Sequence, residues 1–328
     1  MRVAHEALFL IFCETERASC DERSCHPETG NLLIGREHQL TASSTCGTKG
    51  PERYCVISGV TQKKKCFVCD ASPDFKDDKY KYHGVENIVP TYGTKRKHRW
   101  WQAENGKEQV TIQLDLEAEF QFTHLMITFQ TFRPAGMILE RSKDFGATWE
   151  VYQYFAHDCN VVFPAVRTGQ RKRLNDVTCI SEYSQTDQAS NGEVIFRVLP
   201  HSLNNIEPYS PEVQNLLKLT NLRLNMTKLH TLGDNLLDER PEIKEKYYYA
   251  IAKMIVRGKC SCYGHAKKCV PDDMNALTNV PDMVYGKCLC QHHTTGKNCE
   301  LCEDLYNDLE WQAAIGEEKH ACKSEFSS

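Results

Sequence analysis

The chain reads as mainly β: an antiparallel β-sandwich followed by a small disulfide-rich module. Three observations carry this. Several runs alternate apolar and polar residues, the period of a strand with one face in a core and one in water. Short turns join successive runs, as antiparallel neighbours require. Of 17 cysteines, eight stand from Cys260 onward, where apolar periodicity fades.

Taken in order, Met1-Arg2 and the apolar run Ala7–Cys13 read as a short signal peptide over residues 1–18, near the ~7-residue lower limit for such a core and flanked by Glu6 and Glu14. Its removal takes Cys13 and leaves an even number of cysteines. Cys20, Cys25, Cys46, Cys55, Cys66 and Cys69 follow. Cys66-Phe67-Val68-Cys69 could serve redox chemistry or half a zinc site. Among so many neighbours, structural disulfides are the preferred reading. Residues 70–92 are polar without period and read as a long surface connection. Lys95, Arg96, Lys97 and Arg99 form a basic run, either a solvated face or a heparan-sulfate contact.

The sandwich strands begin after Trp100-Trp101. Val110–Leu116 alternates strictly, and His124–Phe132 is a second strand. Met137–Glu140 and Trp149–Phe155 make a third and fourth. Ser142-x-Asp144-x-Gly146-x-Thr148-Trp149 lies between them: Asp144 caps the turn, Gly146 takes a positive φ and Trp149 packs beneath. The same pattern occurs as the Asp-box of sialidases, but here it stands once, without a blade repeat. Cys159 and Cys179 are expected to close a loop on each other, with Arg171-Lys172-Arg173 as a second basic candidate inside it. Residues 192–199 read as a strand through Val194, Phe196 and Val198. Tyr209-Ser210-Pro211-Glu212 starts a short helix, with Ser as cap and Pro in the first position. Residues 220–229 return to period two, with Leu222, Leu224 and Met226 inward. Asn225-Met226-Thr227 is the one glycosylation sequon, its Asn on the polar face. Tyr247–Val256 reads as a last, central strand.

Bulk properties narrow the function. Among 328 residues, 26% are charged and the net charge is −4, which favours neither a nucleic-acid binder nor a disordered chain. No run approaches the ~20 apolar residues of a membrane helix. No zinc-protease, nucleophile-elbow or phosphate-loop motif is present, so no catalytic residue is assigned. The cysteine count indicates an oxidising, extracellular setting. In the last segment Cys260, Cys262, Cys269, Cys288, Cys290, Cys299, Cys302 and Cys322 stand among glycines. So little core demands crosslinks, each contributing about 2–4 kcal/mol. A zinc site on Cys260, Cys262, His265 and Cys269 is the rival, although C-x-C with a six-residue gap is not the usual paired knuckle. Spacing alone leaves the pairing open.

Cys260-x-Cys262-Tyr-Gly-His-Ala, followed by Gly286-Lys-Cys-Leu-Cys-Gln-His-His-Thr-Thr-Gly296-Lys-Asn-Cys-Glu-Leu-Cys302, resembles a laminin EGF-like module over 260–322. That resemblance implies the pairs Cys260–Cys269, Cys262–Cys288, Cys290–Cys299 and Cys302–Cys322, and a tail over 323–328. Upstream, residues 19–259 resemble a laminin N-terminal domain of the β-chain type, which implies an antiparallel β-sandwich of jelly-roll type. The matches include His26-Pro-x-Thr-Gly-x-Leu-Leu-Ile-Gly35, Ser44-Thr-Cys-Gly47, Trp100-Trp-Gln102, Thr111–Phe120, Thr131-Phe-Arg-Pro-Ala135, Leu229–Asp238 and Lys246–Ala250.

The resemblance implies a secreted binding protein of the basement membrane that supports matrix assembly and cell adhesion. Its β tip would meet α and γ laminin N-terminal domains in a three-armed polymer node. Assembly in that family depends on calcium, with an Asp and a Thr as ligands in the loop before the tryptophan in γ and netrin relatives. Residues 89–99 here carry no acid, so no cofactor is expected in this chain. Ser43, Ser44 and Thr45, with Arg133 and Pro134, are the expected exposed contact positions at one end of the sandwich. The sequence shows no heptads, so no coiled-coil trimerisation is expected, and the short chain would act as a chain terminator. A heparan-sulfate-binding jelly roll and a netrin-like ligand are the alternative functions.

Overall fold

A computed structural model describes residues 20–324, apart from 21, 58–63, 91–98, 186–192, 201–202, 204–206, 239 and 273–279. The signal-peptide segment and most of the tail therefore lie outside the described residues.

The sandwich strands are β1 (Gly30–Asn31), β2 (Leu40–Ala42), β3 (Glu52–Ile57), β4 (Lys64–Cys69), β5 (Trp101–Gln102), β6 (Val110–Phe129), β7 (Gly136–Ser142), β8 (Glu150–Ala156), β9 (Cys179–Ile180), β10 (Glu193–Arg197), β11 (Lys218–Lys228) and β12 (Ala250–Cys260). Three short helices join them: α1 (Cys159–Val162), α2 (Pro211–Leu217) and α3 (Pro241–Lys244). Pairing runs β1-β12-β6-β11-β7-β8-β9, with β2 and β10 also on β6, and β5 on β12. These pairs are antiparallel except β8 with β9.

Two strands read separately from the sequence are one. Val110–Phe129 is a single 20-residue strand. Drawn straight, it would be about 65 Å long. Instead its two ends meet. Tyr249, beside the start of β12 that pairs with Phe129, donates its hydroxyl to the Glu108 carbonyl at 2.8 Å. The strand therefore turns back on itself. Its first half pairs with β11 from Met226 to Asn221, and its second half pairs with β12 and β10. The corner lies where Asn221 opposes Asp115 but Leu219 opposes Phe120, so β6 spends extra residues at 116–119. The alternation runs on through this corner to Phe122 and breaks only at Thr123-His124, which is why two strands were expected.

Apolar side chains of both halves face one another. Ile112, Leu114, Leu139 and Leu224 come from one sheet, Leu125, Ile127, Val194 and Met254 from the other, all buried in one cluster. Phe122, Tyr152 and Phe196 stack through the middle, 5.2–6.2 Å between centroids. The connection expected over 70–92 departs from a surface loop. His83, Asn87, Ile88 and Val89 are buried, because a 3₁₀ turn over Val85–Ile88 carries them under Trp101 and β12. The last strand also runs on past Val256 to Cys260.

The β7–β8 turn follows its motif. Thr148 donates from its amide and hydroxyl to Asp144 at 2.8 and 2.6 Å, and Ser142 donates to Asp144 at 2.6 Å. These bonds pull the Asp144 carboxyl down to about 2. Phe145 and Gly146 take φ of 55° and 89°, and the Arg223 guanidinium lies 3.8 Å over Trp149. Ser210 caps α2 by accepting from the Val213 amide.

The β6 corner is where the second unit docks. Its short strands are β13 (Cys269–Val270), β14 (Lys287–Cys288), β15 (Thr294–Thr295) and β16 (Leu301–Cys302). Its disulfides are Cys260–Cys269, Cys262–Cys288, Cys290–Cys299 and Cys302–Cys322, the pairs the resemblance implies. Sulfurs joined this way leave no thiolate set for zinc, and His265 instead hydrogen-bonds His292 and the Gln312 carbonyl. Ser261 and Tyr263 donate to the Glu119 carboxylate at 2.8 and 3.2 Å, and Lys297 donates to the Glu117 carbonyl at 2.9 Å. A Cβ on Gly286 would stand 2.7 Å from that of Ala118, so only glycine allows this approach.

Arg36, fully buried, ties the corner to the module. Its guanidinium forks onto Glu117, donates to the Leu32 and Val284 carbonyls, and covers the Phe120 ring at 4.9 Å. Burial pushes the Glu117 carboxyl up, but Arg36 outweighs it and holds the group below its usual range. Breaking a buried pair strands the remaining charge. Arg36→Ala should therefore lower stability by roughly 3–5 kcal/mol in urea unfolding of the oxidised chain. Because Glu117 is depressed when folded, its contribution is full at neutral pH. It declines below the ordinary glutamate value of about 4.3, as pH falls through the folded value. A loss under about 1 kcal/mol at pH 7 would mean the pair does not hold the junction.

Candidate interaction surfaces

The end of the sandwich opposite the corner is built from the chain crossings at β5. Trp101, fully buried, donates its indole N–H to the Ser44 carbonyl at 3.2 Å and to the Thr45 hydroxyl at 3.3 Å. Ser44 accepts the Glu104 amide at 3.0 Å and bonds its carboxylate at 3.2 Å. Ser43 accepts the Thr111 amide at 2.9 Å. Arg133 donates to the Gln185 and Glu193 carbonyls. Of the five expected contact positions, Ser44, Arg133 and Pro134 are thus buried rather than exposed. Ser43 is exposed and Thr45 is half-buried. Their hydroxyls and guanidinium satisfy backbone groups that would otherwise be orphaned. These residues shape the loops from beneath.

What stands outside them is the β3–β4 hairpin, which sequence reading passed over. Disulfides Cys55–Cys66 and Cys46–Cys69 brace it. Tyr54 anchors its inner face between His83, Phe67 and Tyr248, with ring centroids 5.5–5.7 Å apart. Glu245, its carboxylate almost fully buried, takes Lys64 and Arg53, and its carbonyl accepts the Cys55 amide at 2.7 Å. Val56, Phe67 and Val68 are each 40–48% exposed, Val56 and Phe67 on the Tyr54 face and Val68 on the other, with Lys65 and Arg53 as cross-strand neighbours of Val56 and Val68. Exposed apolar residues grouped among charges mark interaction sites more often than scattered ones do. What hid the hairpin from sequence reading was the disulfide that makes so short a pair of strands stable.

The remaining candidates fall elsewhere. Lys95, Arg96 and Lys97 lie outside the described residues, and Arg99 donates to the Asp77 carbonyl at 3.1 Å. Arg171 is buried over the Phe196 ring, while Lys172 and Arg173 are exposed. The Cys159–Cys179 disulfide closes that loop. Asn225 lies on β11 between β6 and β7, with its amide nitrogen on Glu140 and its oxygen accepting from Thr111 at 2.6 Å. A glycan there would replace the Glu140 contact. No helix among the described residues is long and apolar enough to cross a membrane.

A family model described as the laminin N-terminal domain (domain VI) matches residues 25–258, and one described as the laminin EGF domain matches 260–322. The chain belongs to the laminin family. Laminin subunit beta-1 of Drosophila melanogaster is 57% identical over 309 residues, covering 93% of this chain. Laminin subunits beta-1 and beta-2 of Homo sapiens are 54% and 52% identical over 305 residues, again covering 93%. This chain spans 17% of the length of each of these relatives. It is of the laminin beta type.

If Glu245 clamps the hairpin, Glu245→Gln should speed amide exchange in β3 and β4 about tenfold, leaving β6 unchanged. Equal acceleration in β6, or no change in β3 and β4, would contradict the clamp.

Proposed function

We propose that this chain is a laminin beta short-arm tip of the basement membrane that binds the N-terminal domains of an alpha and a gamma chain in a three-armed node. Membership of the beta type supports the matrix role. The observation that carries the contact surface is the braced β3–β4 hairpin at the end away from the EGF-like module, with Val56, Phe67 and Val68 exposed beside cations. Disulfide bracing spends little ordering entropy on binding. The shaping residues Ser43, Ser44, Thr45, Arg133 and Pro134 act through the loops they hold. Secretion into the extracellular matrix accords with eight disulfides among the described residues. The reading gives the stretch 89–99 no cation site, since it holds no carboxylate.

Size-exclusion chromatography with light scattering tests this on the oxidised chain mixed with alpha and gamma tips. A ternary peak should form and vanish when either tip is omitted. Val56→Asp with Val68→Asp should abolish it while leaving the melting midpoint near wild type. In excess, at roughly micromolar concentration, the 328-residue chain should act as a chain terminator and inhibit laminin polymerisation. A monomer in every mixture, or an unaffected polymer, would refute the node reading.

A further inference from the structure

The N-terminal segment crosses from one unit to the other. Gly30 and Asn31 pair with β12 of the sandwich, but the residues before them lie on the EGF-like module. Ser24 donates its amide and hydroxyl to the Gly316 carbonyl at 3.1 and 2.9 Å, and the Cys25 amide donates to the Gly264 carbonyl at 2.9 Å. Arg23 pairs with Glu317 at 3.4 Å, and the Cys20–Cys25 disulfide closes the end of the segment. One more contact holds it: His292 donates from Nε2 to the Cys20 carbonyl.

That contact belongs to a pair of imidazoles. His265 and His292 face each other through their Nδ1 atoms, 3.0 Å apart, with ring planes 79° apart. The His265 Nε2 lies 2.9 Å from the Gln312 carbonyl. Crosslinked backbone fixes both residues: the His265 carbonyl accepts the Gln291 amide at 2.8 Å, and the His292 carbonyl accepts the Cys322 amide at 3.0 Å. His292 also takes a φ of 61°, in the left-handed region that residues with a side chain seldom adopt. A backbone held there despite its cost marks a position that its surroundings over-determine.

Two neutral rings cannot supply these bonds. A carbonyl only accepts, so each Nε2 contact needs a proton, and the Nδ1–Nδ1 contact needs a third. Two neutral imidazoles carry two such protons; a neutral ring with an imidazolium carries three. His265 is the neutral member. It is fully buried; burial pushes it down to about 4 against the Gln312 carbonyl, and His292 and His320 lower it further. His292 is half-buried and takes the third proton. Carboxylates near the pair are engaged elsewhere: Glu317 with Arg23, Glu318 with His320 and Glu303 with His293. Glu22, Lys267, Lys268 and Lys319 are exposed. Trp311 covers the other side of His265, 5.9 Å between ring centroids.

We propose that His265 and His292 form a proton-operated latch on the N-terminal segment. With the third proton, His292 donates to His265 and to the Cys20 carbonyl together, and the segment is clasped. When that proton leaves to solvent, the buried Nδ1 contact keeps the one that remains. The His292 Nε2 then turns a lone pair on the Cys20 carbonyl, and the clasp opens. The closed segment holds the proton more tightly than the open one, so falling pH favours closure. The latch sets how firmly the sandwich and the module are joined. It lies at the end away from the β3–β4 hairpin and does not depend on the node reading.

Two measurements on the full oxidised chain test this. Nitrogen NMR of isotope-labelled histidines should show both His292 nitrogens protonated and the His265 Nδ1 bare at about pH 5, with His292 neutral by about pH 8, the range over which imidazoles change charge. Hydrogen exchange, corrected for the intrinsic effect of pH, should show protection of the Ser24 and Cys25 amides falling about tenfold over the same range, the loss of one charge-assisted bond, with Leu114 unchanged. His292→Gln should flatten that response. His320→Gln, which removes a titrating neighbour outside the pair, should leave it intact. Equal protection at both pH values, a response that survives His292→Gln or vanishes in His320→Gln, or a neutral His292 at the acidic end would overturn the proposal. If His292→Gln misfolds, the wild-type spectrum decides.

Discussion

A strand hydrogen-bonded on both sides cannot reverse direction without losing part of its ladder, and β6 meets that constraint at one place. At 116–119 it leaves β11, and the freed carbonyls and carboxylates are taken up by the EGF-like module. The corner that joins the two sheets is therefore also the seat of the module. Peptide groups left bare by the reversal would cost free energy in a buried place, and the Ser261 amide with the Lys297 and Asn298 side chains donates to the Glu117 and Glu119 carbonyls.

That arrangement polarises the molecule. One end of the sandwich is committed to the module through Arg36, Glu117 and Glu119. The other end, where Val110 and Phe129 come together, is left with loops held by Trp101, Ser44 and Glu104 and capped by a disulfide-braced hairpin.

Much of this was legible in the residues. Alternation located β7, β8, β11 and β12, because each keeps one face in the core. The Asp144 turn and the Ser210 cap were readable because their bonds are local. What could not be read depended on distant partners. Alternation passes through the β6 corner and breaks only at Thr123-His124, so the reversal leaves no mark in the residues and shows only in the ladder and in the module's hydrogen bonds to Glu117 and Glu119. Ile88 and Val89 sit in a polar segment whose burial comes from Trp101 and β12. Ser44 and Arg133 look like loop polar groups, yet they satisfy backbone atoms far away in sequence. Arg36 gave no signal at all, since its partner Glu117 lies on another element.

Native-state hydrogen exchange along β6 tests the central claim, that one reversed strand couples both sheets. Amides on both sides of the corner, such as those of Leu114 and Ile127, should exchange with the same opening free energy and rank among the slowest in the chain. Independent opening of residues 110–115 and 122–129, with distinct free energies and denaturant slopes, would mean two sheets that merely pack together.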